Sequence, residues 1–236
     1  MTTAGASAQG RTVFGHPRGL VTVASTELWD RISFHGMQAL LVLYMVEQLL
    51  LPGHVEHIAG FATARAIIES VTGPLSVQAL ASQIFGLYVG LVYFTPVFGG
   101  LLGDRVLGRT GAVTLGAALM TAGHFCMAFE QSFLLALLLL ILGAGTLRGN
   151  LAPQLGELYS KEDRRRGIAF QIYGSAVNLG AFIAPLVTGI LQQAYSWHLA
   201  FGFAGVGMLV GLVIYLLGRR DLPAEEIGRA SCRERV

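Results

Sequence analysis

Charge is scarce in this chain. Asp, Glu, Lys and Arg make up 13% of its 236 residues, against 53% hydrophobic residues. A soluble domain carries about 25% charged residues, so the composition excludes an ordinary water-soluble globule and points to an integral membrane protein. The net charge of +2 is too small to suggest a nucleic-acid partner. Cysteine is nearly absent: Cys126 lies inside an apolar run and Cys232 near the end, too few for a disulfide framework or a metal site. Residues 1–25 are small and polar and lack the apolar core of a cleaved signal. Gly-x-Ser-x-Gly, His-Glu-x-x-His and Cys-x-x-Cys are missing. Gly143-Ala144-Gly145 follows no strand, which removes a nucleotide-loop reading. With no nucleophile–base pair or metal-ligand cluster in view, no enzyme activity and no cofactor are expected.

Glycine is plentiful. Thirty-one glycines in so apolar a chain fit close helix–helix packing in lipid. Six segments approach or exceed the ~20 residues needed to cross hydrocarbon: 26–50, 77–102, 110–129, 133–158, 168–191 and 198–217. The expected organisation is a disordered cytoplasmic tail over 1–25, a six-helix transmembrane bundle over 26–221, and a truncated linker with foreign sequence over 222–236. A mixed-polarity loop is expected to about Ser76, and a kink at Pro96. Arg11 and Arg18, Arg105 and Arg109, Lys161 with Arg164 to Arg166, and Arg219 with Arg220 fall at alternate connections, the others holding only Arg65. The positive-inside rule then places the N-terminus, and the end of the sixth segment, in the cytoplasm. Pro96 to Leu102 and Pro185 to Leu191 share the pattern Pro-x-x-x-Gly followed by two aliphatic residues. They sit on helices that would cross in opposite directions, as in a 3+3 inverted repeat, although Pro and Gly are common enough in membrane helices for coincidence.

Two places carry charge inside apolar sequence. Glu27, Asp30 and Arg31 stand at i, i+3 and i+4 and share one helix face. A charge at mid-membrane costs about 2.5–3.5 kcal/mol on insertion scales. The trio therefore either faces a water-reached interior, where Glu27 and Arg31 neutralise each other, or anchors the helix at the headgroups. Arg148 has no carboxylate within one turn. It requires a partner on another helix, a substrate carboxylate or water, unless it snorkels to the surface. His35 and His124 are expected to make interhelical hydrogen bonds rather than carry protons.

Gly99 to Arg109, GGLLGDRVLGR, resembles the loop between helices 2 and 3 of the major facilitator superfamily, with Gly100, Asp104, Arg105, Gly108 and Arg109 as its gating positions. Glu27-Leu28-Trp29-Asp30-Arg31-Ile32 with Ser33 to Met37, Leu147-Arg148-Gly149-Asn150, Phe170 to Gly180, and Trp197 to Phe201 resemble, in order, signatures of the proton-dependent oligopeptide transporter (POT/PTR) family. The resemblance covers roughly 17–222. It implies an all-α major facilitator fold whose second, C-terminal six-helix bundle is missing, with protons and small peptides as the transported partners. It also implies coupling at Glu27, Asp30 and Arg31, and substrate binding at Arg148, Tyr93, Gln38 and Asn178. Asp30 stands where Glu is usual, and Arg148 where Lys is usual; Arg hardly deprotonates. Gln38 replaces a frequent Arg, Phe34-His35 a Tyr-Tyr pair, and Gly174 a frequent Tyr. These departures leave room for another solute on the same scaffold, such as an amino acid, a drug-like compound or nitrate. A non-transporting six-helix partner subunit or sensor is the remaining rival.

Residues 226–236 match the translation of a common sequencing adaptor. Without residues 227–236 three arginines and one glutamate go, and the net charge falls to zero. Sequencing the gene through codon 226 is expected to show the frame continuing into a polar linker and six more apolar helices. A stop codon directly after Val236 would overturn that and favour the partner-subunit reading.

Overall fold

The computed structural model describes residues 12–223; the adaptor-like segment lies outside the described residues. A short hairpin pairs Thr12–Val13 (β1) with His16–Pro17 (β2). Helix α1, Arg18–Tyr44, follows directly and runs into a π-turn over Met45–Leu49. The helix thus begins well before residue 26, and residues 12–25 are not a disordered tail. Burial explains the difference. Leu20 and Val23 are buried at helical spacing, and a methyl group on Gly19 would meet the Leu158 side chain and the Asp221 carbonyl. The hairpin is held as well: His16 Nδ1 lies 2.9 Å from the Tyr159 hydroxyl, and Arg165 Nη1 donates to the Gly15 carbonyl at 2.7 Å. The same Arg165 donates to Asp163 at 2.7 Å, and those hydrogen bonds hold the Asp163 carboxyl below its ordinary value. That contact is therefore present at neutral pH and is lost as pH falls through the lowered value.

The expected loop before Ser76 contains a helix, α2, Phe61–Thr72. Gly60 and Gly73, both at positive φ, bound it, and Arg65 pairs with Glu69 one turn on at 2.9 Å. Only its first residue, Phe61, is buried. Its apolar side chains are interleaved with polar ones, which hides a surface helix among loop-like sequence.

Helix α3, Val77–Phe94, starts at Ser76, whose hydroxyl accepts from the Ala79 N–H. It gives way at Thr95 to α4, Pro96–Leu102, and a π-turn over Gly103–Leu107. Pro96 supplies no N–H and breaks the rod here, while Thr95 Oγ1 donates to the Leu91 and Ile141 carbonyls at 2.9 and 3.1 Å. Pro153 and Pro185, by contrast, each sit inside an unbroken helix. Helices α5 (Arg109–Cys126), α6 (Phe133–Glu157), α7 (Arg165–Ala194) and α8 (Trp197–Gly218) complete the fold. Among the described residues, four stretches are long and apolar enough to cross a membrane: Val77–Leu107, Glu130–Glu157, Arg165–Ala194 and Trp197–Asp221. Helix α1, with its charged trio, and α5 are not among them.

Helix α1 packs against α7 and α8, and α5 lies between α6 and α8, with α4 on the far side of α6. The α4–α6 contact is backbone against backbone. A methyl group at Gly99 would collide with the Gly145 carbonyl, and one at Gly149 would lie 2.5 Å from the Pro96 carbonyl. This is the close approach that small residues permit in lipid. At one end, His54 Nδ1 and Gln48 Nε2 reach Glu130 Oε1 at 2.8 and 3.2 Å, tying the end of the first helix to the α5–α6 turn.

Gly99→Val in the full-length protein is expected to cost on the order of 1–3 kcal/mol or more through overpacking, read as a lowered thermal midpoint. Gly90→Ala, where a methyl meets nothing within 4 Å, is expected to stay within about 1 kcal/mol of the parent. Equal midpoints for both variants would contradict the close α4–α6 contact.

Candidate functional site

The charged residues gather where α1 meets α6 and α7. Glu27 and Asp30 are completely buried, yet every carboxylate oxygen is engaged. Glu27 Oε1 accepts from Arg31 Nε at 2.7 Å, with Arg31 Nη2 at 2.6 Å. Glu27 Oε2 accepts from the Tyr173 hydroxyl at 2.7 Å. Asp30 receives a fork from Arg148: Nε to Oδ2 at 3.0 Å and Nη2 to Oδ1 at 3.3 Å. Arg31 Nε lies 3.7 Å from Asp30 Oδ2, linking the two pairs into one four-charge network. Two carboxylates face two guanidiniums, so the cluster is neutral in total. That is the condition under which such groups persist away from water.

Three elements build it. The i, i+3, i+4 spacing on α1 places Glu27, Asp30 and Arg31 on one face, as the sequence indicated. On α7, Gly180 lets the backbone close on α1: a methyl there would sit 2.7 Å from Arg31 Cβ and 2.9 Å from the Leu28 carbonyl. Tyr173 stands seven residues earlier, two helical turns away on the same face, which carries its hydroxyl to Glu27. On α6, the glycines that seat α4 leave Arg148 directed at α1. Its guanidinium lies 4.0 Å from the Phe34 ring centroid, a cation–π contact. Arg148 does not snorkel; its side chain is 8% exposed. Its Nη1 is buried without a hydrogen-bonding partner among the described residues.

Tyr173 and Phe34 are the network residues whose contacts sequence reasoning missed. The signal for Tyr173 was its two-turn offset from Gly180; none in the sequence joined Asp30 to Arg148. The expected cavity residues are more scattered. Tyr93, on α3, is 62% exposed; Asn178, on α7, is also exposed. Gln38 is half-buried on α1. None of the three is hydrogen-bonded into the charge network. Gly174 is half-buried with open space around its Cα.

The loop motif forms a second polar cluster beside α6. Arg109 Nε donates to Asp104 at 3.0 Å, and Arg109 Nη1 to Glu157 at the end of α6. Gly108 takes φ +71°, which favours glycine, at the entry to α5. Asn150 Nδ2 donates to the Gly99 and Thr146 carbonyls at 2.8 Å each. A methyl on Gly100 would lie 3.3 Å from the Gly149 carbonyl, whereas Arg105 is exposed. Among the described residues no group of three or more His, Cys, Asp or Glu is placed to hold a metal ion.

Arg148→Ala removes one partner of a buried pair and is expected to destabilise the parent protein by about 3–5 kcal/mol. The double variant Asp30→Asn with Arg148→Met is expected to recover part of that loss. Thermal midpoints of the three proteins check this, and a double variant no more stable than Arg148→Ala would contradict the pairing.

Comparison with known proteins gives this geometry a family. The model of the POT family, PTR2, matches residues 110–233. The chain is 39% identical over 223 residues to a di-/tripeptide transporter of Lactococcus lactis subsp. lactis, covering 93% of this chain and 41% of the relative. It is 38% identical over 211 residues to the uncharacterized transporter YclF of Bacillus subtilis, covering 88% of this chain and 39% of that one. Among solved structures, a peptide transporter POT in complex with sulfate superposes with a TM-score of 0.76 at 37% identity, over 92% of this chain and 40% of the other. A POT family transporter in complex with 5-aminolevulinic acid gives a TM-score of 0.73 at 30% identity, over 91% and 41%. The chain thus spans about two fifths of the length of the relatives it matches. By its matching segment, its fold and its ordered motifs, the chain belongs to the POT family of transporters.

Proposed function

We propose that this chain is the N-terminal half of a proton-coupled symporter that imports di- and tripeptides across the inner membrane by alternating access. The observation that carries the reading is the buried four-charge network of Glu27, Arg31, Asp30 and Arg148. In a membrane protein such groups mark ion or substrate paths. Relatives described as di-/tripeptide transporters support the substrate class. In this reading α1, α3 with α4, α5, α6, α7 and α8 all span the membrane as a 3+3 inverted repeat, with the N-terminus in the cytoplasm. A second six-helix bundle completes the cavity between the halves.

A proton on Glu27 removes its charge and frees Arg31, and a proton on Asp30 frees Arg148. The unpartnered Nη1 of Arg148 is the donor that a peptide carboxylate would engage, competing with Asp30. Substrate and proton then act on the same pair, which is how their movements become linked. Tyr93, Gln38 and Asn178 line the cavity. The Asp104–Arg109–Glu157 cluster holds the α4–α5 loop against α6 and gates the cytoplasmic side.

A second reading keeps the scaffold and changes the solute. The departures at Gln38, Phe34-His35 and Gly174 favour it, and a related transporter is recorded with 5-aminolevulinic acid.

The full-length protein in liposomes, given an inward pH gradient, is expected to accumulate a labelled dipeptide. Glu27→Gln and Arg148→Ala are each expected to lower driven uptake roughly tenfold or more, equivalent to about 1.4 kcal/mol of lost coupling. Undiminished uptake by both variants would sink the residue roles. Accumulation of another solute in place of peptide would sink the substrate class and leave the network's role standing.

A further inference from the structure

The two oxygens of Glu27 are used differently. Oε1 carries the ion pair, with Arg31 Nε and Nη2 at 2.7 and 2.6 Å. Oε2 has an uncharged donor, the Tyr173 hydroxyl at 2.7 Å. Glu27 is completely buried, whereas Tyr173 is half-buried. The other ionisable groups around the carboxylate are Asp30, beside Arg31 on α1, and beyond it Arg148 from α6. Helix α8 meets this part of α1 with Gly207 and Gly211, both against Trp29.

Backbone packing holds the hydroxyl in place. Ala169, Tyr173, Gly180, Ala184 and Thr188 recur at helical spacing along α7, and all but Tyr173 are buried. Thr188 Oγ1 donates to the Gly36 carbonyl at 3.2 Å, and a methyl on Gly36 would lie 2.6 Å from the Thr188 side chain. With the contact at Gly180, this fixes the rotation of α7 against α1. The register matters. Gly174 stands where Tyr is frequent in the family, and this chain carries its tyrosine one residue earlier. One residue turns a side chain about 100° around a helix, and position 173 is the one that meets Glu27.

A phenol hydroxyl can donate or accept. Toward ionised Glu27 it donates a charge-assisted bond, and toward the neutral acid, with its new O–H on Oε2, it accepts one. Both states are paired, and the ionised state gains more. A proton on Oε1 would first have to displace Arg31, so Oε2 is the open position.

We propose that Tyr173 is a positioning residue of the coupling site: its hydroxyl reserves Glu27 Oε2 for the incoming proton and sets the pH at which that proton binds. As the O–H of Glu27 forms, the Tyr173 O–H turns away and its oxygen accepts. Arg31 then faces a neutral acid and is released. Without the hydroxyl, a buried carboxylate oxygen loses its donor, which costs the ionised form more than the neutral acid. That the proton is a transported one rests on the transporter reading above; the control of Glu27 by Tyr173 does not.

The test uses the full-length protein. The infrared band of protonated Glu27, assigned by its loss in Glu27→Gln, is titrated with pH. In Tyr173→Phe its midpoint is expected about one pH unit above that of the parent. Fluorotyrosine in place of Tyr173, a stronger donor, is expected to move the midpoint below the parent's. A midpoint shared by all three proteins would overturn the proposal. The fluorinated protein keeps the hydroxyl and its packing, so it decides the matter if Tyr173→Phe fails to fold. In liposomes, the pH profile of driven uptake is expected to move upward in Tyr173→Phe by the same interval. A merely structural role would leave that profile in place, and an unchanged profile counts against the proposal. If the parent accumulates no peptide, the transport reading fails while the infrared titration still decides the role of Tyr173.

Discussion

The structure is arranged around two carboxylates that are completely buried. Glu27 and Asp30 lie one turn apart at the centre of contacts from α6 and α7, and each oxygen is matched to a donor on Arg31, Tyr173 or Arg148. A buried ion pair is weak evidence of stability, because desolvation offsets much of its attraction. Breaking one is costly all the same. That asymmetry suits a device with two states: the network is satisfied as it stands, and any change at one member obliges another to respond. The charge balance confines the responses to protonation, an incoming anion or a change of partner.

The surrounding packing makes this responsiveness possible without loosening the fold. Backbone contact between α4 and α6, and the approach of α7 to α1 at Gly180, fix the helices that carry Arg148 and Tyr173. Short contacts of this kind leave little room for gradual deformation, so motion is expected between rigid groups of helices rather than within them. The loop cluster of Asp104, Arg109 and Glu157 adds a tie between α5 and α6. Helix α1 takes part in few of these backbone contacts with α6; side-chain charge joins them instead.

Much of the fold was legible in the residues. Apolar runs separated by basic connections gave the long helices within a few residues of their observed ends, and Pro96 gave the break in the second rod. The exceptions are instructive. The first turns of α1 read as tail because Gly19, Thr22 and Ser25 are small and polar; Gly19 packs against Leu158 and Asp221, and Thr22 against Gly218, at the ends of α6 and α8. Helix α2 was concealed by exposure, since a surface helix needs no apolar run. At the site, the spacing of Glu27, Asp30 and Arg31 announced a shared face, and the isolation of Arg148 announced a partner elsewhere. Neither named Asp30 as that partner or Tyr173 as the third donor to Glu27.

Sequence by itself determined that this chain seeks an apolar surrounding, that a handful of charges within it must be neutralised, and that its ordered motifs are those of a transporter family. Periodicity and composition are local quantities, and they suffice for such conclusions. Only the tertiary structure decided which charge meets which: Asp30 with Arg148 across more than a hundred residues of sequence, and Glu27 with Tyr173 across a similar interval. Those pairings depend on how closely the helices approach and how they are rotated, and it is the packing of glycine-bearing faces, not any one segment, that sets both.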